Sequence, residues 1–96
     1  MIATFGSPET EALWIGDAGG SRGLPSDIRK AAMRKLAYLD SAIDLRDLRS
    51  PPGNRLESLT GDLAGHFSIR VNDQWRIVFR WQEGQPHDVR VVDYHR

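Results

Sequence analysis

The last third of the chain constrains the fold most, because between His66 and Tyr94 apolar and polar residues alternate in three segments separated by turn formers. Side chains of a strand alternate faces, so Phe67, Ile69 and Val71 share one side while His66, Ser68 and Arg70 share the other. In the next segment Trp75, Ile77, Phe79 and Trp81 continue the apolar face, with Gln74, Arg76, Val78 and Arg80 opposite. This pattern predicts strands over 66–71, 75–81 and 89–94.

Directly paired residues of a hairpin share a face, which restricts the possible turns. A two-residue Asn72-Asp73 loop would set Arg70 against Trp75 and mix the faces, so that turn is excluded. Pairing Val71 with Trp75, or Arg70 with Arg76, keeps both faces consistent. The same test on the last hairpin, turning near Glu83-Gly84-Gln85-Pro86, favours Trp81 with Val89, Phe79 with Val91, Val78 with Val92 and Arg76 with Tyr94. A shift by two residues also preserves parity and moves Arg76 opposite Val92 or Arg96. In the favoured register Arg70, Arg76 and Tyr94 form a row across three strands, each about 4.8 Å from the next. Facing arginines repel, so the row either cradles a phosphate or carboxylate or is neutralised by Asp62 or Glu57 folding over it. His95, close behind Tyr94, adds an imidazole able to move protons near neutral pH. His66 reads as a solvent-facing residue and His87 as incidental.

Upstream, Ile2 to Phe5 suits a brief strand, and Ser7-Pro8 begins a short helix that runs to about Ile15. Asp17 to Gly23 reads as a flexible loop. From Ser26 to Ile43 the residues Ile28, Ala32, Leu36, Leu39 and Ile43 form one stripe of an amphipathic helix, with Lys30 and Arg34 opposite it, Arg29 and Lys35 flanking it, and the four expected to form a solvated face. Ser50-Pro51-Pro52-Gly53-Asn54 forces a turn, and Leu56 to Leu59 can form a short edge strand. The expected fold class is α+β: a single domain over 1–96, with an N-terminal strand and two main helices packed on a mostly antiparallel sheet.

Composition narrows the functions. Thirteen basic residues balance 13 acidic ones for a net charge of +0, so any polyanion site must arise from local arrangement. With no cysteine, disulfides, thiol nucleophiles and thiolate metal sites are excluded. No cluster has metal-ligand spacing, so neither metal nor cofactor is expected. The absence of a leader-like N-terminus or a long apolar run predicts a cytoplasmic protein with no membrane partner.

Three segments then carry a resemblance. Asp47 through Leu59 (DLRSPPGNRLESL), Ser68 through Phe79 (SIRVNDQWRIVF) and the near-terminal Val92-Asp93-Tyr94-His95, in this order, resemble the HigB branch of the RelE-like toxins. That resemblance implies a RelE-like, microbial ribonuclease-type fold and a toxin of a type II toxin–antitoxin system. It further implies a ribosome-dependent endoribonuclease that cuts translated messenger RNA in the ribosomal A site. A helix-turn-helix HigA-type antitoxin would neutralise it, and operator DNA would be reached only through that antitoxin.

Carried over by position, the resemblance implies catalytic roles for Arg76, Asp93, Tyr94 and His95. A characterised branch has lysine just before the Gly-Asp that is Gly61-Asp62 here, where this chain has Thr60; Arg55 or Arg70 could supply that charge. The expected phosphate- and RNA-contacting set is Arg70, Arg55, Thr60 and Gln74. RNA brings its own nucleophile, the 2′-hydroxyl, so the protein need supply only a base, an acid and cations. Arg76 and Arg70 are assigned to the phosphate, His95 or Asp93 to proton transfer, and Tyr94 to stacking or orienting a base. Two competing expectations remain: a ParE-like gyrase inhibitor, and a catalytically weakened module that occupies the antitoxin.

Overall fold

A computed structural model describes residues 1–94. Helices α1 (Pro8–Ile15) and α2 (Ser26–Ser41) precede four strands, β1 (Glu57–Ser58), β2 (His66–Arg70), β3 (Trp75–Gln82) and β4 (Gln85–Asp93). The sheet has the order β1-β2-β3-β4, and every neighbouring pair is antiparallel. The α+β expectation therefore holds. The N-terminal segment falls short of a regular strand: it lies beside β4 through a single parallel bridge, Phe5 with Val89, supported by Ala3 N–H to Pro86 O at 2.9 Å.

Helix α1 begins where its sequence says it should. Ser7 Oγ accepts from the Thr10 amide, Pro8 occupies the first turn, and Glu9 and Glu11 face the positive end of the helix dipole. Helix α2 lays Ile28, Ala32, Leu36 and Leu39 against Ile69, Ile77, Phe79, Val89 and Val91 of the sheet. Burying a Leu or Ile side chain contributes about 1.5–3 kcal/mol, so this interface holds helix and sheet together.

The predicted stripe fails at its last member. Ala42 leaves the helical conformation (ψ 133°), and Ile43 is 84% exposed rather than in the core. Lys35 fails in the opposite sense: expected on the solvated side, it is buried. Residues 17–23 also close into hydrogen-bonded turns, with Asp17 Oδ1 accepting from the Gly20 amide and Ser21 buried. A side chain at Gly20 would lie 2.7 Å from Ala12 Cβ, so this packed turn requires glycine there. Among the described residues no helix is long and apolar enough to cross a membrane.

The first strand pairing follows the parity argument, with Arg70 opposite Arg76 and Ile69 opposite Ile77. The turn is shaped by Asn72, whose Oδ1 accepts from the Gln74 and Trp75 amides, both at 2.8 Å. The last hairpin departs from the favoured register. Its turn is the two-residue Glu83-Gly84, both at positive φ, so Trp81 pairs with Pro86 rather than Val89 and β4 begins at Gln85. An extra residue then bulges β4 at Asp88 (φ 52°), which restores the parity that the short turn would have broken. Beyond the bulge Ile77 pairs with Val91 and Arg76 with Val92, the register shifted by two from the favoured one.

Candidate functional site

The opposed arginines open into a cleft of about 480 Å³ at the end of the sheet where β2 turns into β3. Arg70 and Arg76 come from facing strands, Gln74 from the turn between them, and Arg55 from the segment before β1. Tyr94 closes one side, where its amide donates to Gln74 O at 2.6 Å. Although Arg76 faces Val92, the ring of Tyr94 lies diagonally across from it, with the guanidinium carbon 5.1 Å from the ring centroid.

Both arginines are already compensated by carboxylates of the same chain. Arg76 Nη2 donates to Glu57 Oε1 at 3.1 Å, and its Nη1 donates to Ser68 Oγ at 3.0 Å and to Arg55 O at 3.4 Å. Arg70 donates to Asp73 three residues on, across the turn. The neutralising reading is thus half realised as expected: Glu57 pairs with Arg76, but Asp73 takes the role that Asp62 was weighed for. Arg76 is buried and held by several acceptors, which presets its plane. Arg70 is more open, and its partner Asp73 is 98% exposed.

A second polar group ties α2 to the segment that carries Arg55. Lys35 Nζ donates to Asn54 Oδ1 at 2.6 Å and sits 5.5 Å from the Tyr38 ring centroid. Burial holds its ammonium below the ordinary lysine range, and repulsion from Arg34 and Arg70 adds to that.

Of the residues singled out from sequence, Arg55, Arg70, Gln74, Arg76 and Tyr94 come together in this cleft. Asp93 flanks it, with its Oδ2 accepting from Gln74 Nε2 at 3.1 Å. Thr60 is exposed just before the 3-10 turn Gly61–Leu63 and does not line the cleft. His95 lies outside the described residues. Glu57 and Asp73 were not assigned to the site from sequence. Extending the parity argument to β1 would have found Glu57, which pairs with Ser68 and so shares the face of Arg70 and Arg76. Asp73 was legible as an acid three residues from Arg70 across a tight turn.

The profile of a family described as "RelE-like toxin of type II toxin-antitoxin system HigB" matches residues 14–95. Toxin HigB-1 of Vibrio cholerae serotype O1 is 54% identical over 61 residues, 64% of this chain and 64% of that protein. The chain thus spans somewhat less than two thirds of that relative. Endoribonuclease HigB of Proteus vulgaris is 29% identical over 95 residues, 99% of this chain and 100% of that protein. In structure the chain resembles the YoeB-YefM complex from Staphylococcus aureus, with a TM-score of 0.60 at 18% identity, covering 100% of this chain and 99% of that one. That likeness concerns the fold.

Proposed function

The chain belongs to the HigB group of RelE-like toxins of type II toxin–antitoxin systems, and we propose that it is an endoribonuclease that cuts translated messenger RNA in the ribosomal A site. One observation carries this reading: two opposed arginines, a carboxylate and a tyrosine ring converge on one open cleft. That set matches the needs of phosphodiester transfer to an internal 2′-hydroxyl.

In the proposed reaction Arg76 and Arg70 hold the non-bridging oxygens of the scissile phosphate, where negative charge develops. Glu57, which lines the cleft and is hydrogen-bonded to Arg76, takes the proton of the 2′-hydroxyl. The 2′-oxygen bonds to phosphorus, the bond to the 5′-oxygen breaks, and His95 protonates that leaving oxygen. The products are a 2′,3′-cyclic phosphate and a 5′-hydroxyl. The reaction balances without a metal or other cofactor. Tyr94 stacks on a base or on Arg76, and Asp93 orients Gln74 at the rim. Arg55 supplies the charge that Thr60 lacks.

Within this reading the protein acts in the cytoplasm, the ribosome presents the RNA, and a HigA-type antitoxin restrains the toxin. Operator DNA is contacted only through the antitoxin. The test is mapping of transcript 5′ ends after induction, in wild type and His95→Ala. Cuts in codon register that disappear in the variant support the proposal. Intact transcripts accompanied by DNA damage would point instead to a gyrase poison.

A further inference from the structure

Arg76 has Glu57 and Arg70 has Asp73, but the third arginine of the cleft stands apart. The Arg55 guanidinium has no hydrogen-bond or ion-pair partner among the described residues, and the side chain is exposed. Its backbone is left-handed, at φ 46° and ψ 57°. A non-glycine residue holds that conformation when its surroundings over-determine it, and such positions concentrate at binding sites.

What over-determines it is the residue before. Asn54 is 0% exposed and its amide is engaged on both sides. Its Nδ2 donates to Leu48 O and Ser50 O, both at 3.2 Å, while its Oδ1 accepts from Lys35 Nζ. The backbone amides of Asn54 and Arg55 donate to Pro51 O and Pro52 O. A buried polar pair is costlier to bury than an apolar pair of similar volume. It does, however, fix the orientation of the backbone groups it binds, which an apolar pair cannot do. Helix α2 is thereby linked to the segment that presents Arg55 to the cleft and turns the Arg55 carbonyl toward Arg76.

We infer that Lys35 and Asn54 form a positioning pair: together they hold the 48–55 segment so that Arg55 meets an RNA phosphate as the cleft's uncompensated cation. The inference rests on the proposed reading of the cleft as an RNA site. It adds two residues that need never touch RNA.

The test is a double-mutant cycle on the full chain, using single-stranded RNA carrying 2′-O-methyl groups throughout, which cannot be cleaved. Affinity is followed over a salt series. Arg55→Ala is expected to flatten the salt dependence by about 0.7 of a unit, one phosphate contact on a single strand, and to weaken binding about eightfold at 50 mM salt. Asn54→Ala removes no charge, yet should give a similar loss, and the double variant should bind no more weakly than Arg55→Ala alone. Wild-type binding by Asn54→Ala, or a loss that multiplies with that of Arg55→Ala, would overturn the inference. If Arg55→Ala and Arg76→Ala both bind as wild type, the RNA reading of the cleft itself fails and the inference falls with it. Should Asn54→Ala not fold, Lys35→Met replaces it, read by hydrogen exchange at the Arg55 amide. Faster exchange there supports the pair, and unchanged exchange overturns it.

Discussion

Arg76 and Tyr94 are stacked without being register partners. The guanidinium carbon is 5.1 Å from the ring centroid, although Arg76 pairs across the sheet with Val92. A diagonal neighbour lies about 7–8 Å away along the backbone, close enough for a ring and a long cation to meet. The contact leaves the tyrosine a role as a surface for a base and a guide for the arginine. Tyr94→Phe should therefore retain most RNA cleavage, whereas Tyr94→Ala should lose about 1–3 kcal/mol of RNA binding, the usual worth of a stacked base. Cleavage and binding assays on the two variants check this. Equal impairment of both would mean that the hydroxyl, not the ring, is what matters.

Asp73 masks Arg70 from a fully exposed position. Exposed ion pairs contribute roughly 0.2–1 kcal/mol, so the mask is easily displaced, yet it opposes every incoming phosphate. Asp73→Asn should bind single-stranded RNA about twofold to fivefold more tightly at low salt and show a steeper salt dependence. Salt titration of binding reads this directly, and unchanged affinity would show that the pair does not compete with RNA.

A third expectation concerns acid stability. The Arg80 guanidinium, 2.6 Å from Asp88 Oδ2, holds that carboxyl below the ordinary aspartate value, aided by Thr4. A carboxyl whose pKa is depressed by folding contributes stability above its unfolded pKa, near 3.9, and that contribution is lost as pH falls through the folded value. Asp88→Asn should thus be less stable than wild type at neutral pH, and the difference should shrink below about pH 4. Asparagine suits the left-handed backbone at this position, which isolates the charge effect. Denaturant melts across pH measure it.

Leu36 is fully buried where α2 meets the sheet. Leu36→Ala should cost about 2–5 kcal/mol in urea unfolding, since transfer and cavity costs add at such a site. A smaller loss would mean that the helix can settle into the space.

The sequence disclosed the arginine face because strand parity is a two-residue rule that holds along any unbroken ladder. The rule gave Arg70 opposite Arg76. It missed the last register because one bulged residue, Asp88, cancels the parity change of a two-residue turn, and neither feature shows in alternation alone. Helical periodicity likewise located α2, but not the residue where it ends, so Ile43 was counted in a stripe it does not join. Lys35 was unreadable for a different reason. Its partner Asn54 is 19 residues away in an irregular segment, and only tertiary packing brings the two together. Glu57 was legible as a carboxylate able to fold over the arginine row; what its two-residue strand left open was the pairing with Ser68 that sets it on that face.

In the proposed reaction this cleft cuts RNA by attack of the 2′-hydroxyl, with Glu57 accepting its proton. Glu57→Gln preserves an acceptor for Arg76 and removes the base. The deciding measurement is end-group analysis of messenger RNA incubated with ribosomes and either wild-type protein or Glu57→Gln. The wild type should yield fragments with 2′,3′-cyclic phosphate and 5′-hydroxyl ends, and the folded variant should cleave about 10²–10⁴-fold more slowly. Fragments with 5′-phosphate ends, or a Glu57→Gln variant as fast as wild type, would contradict that reaction.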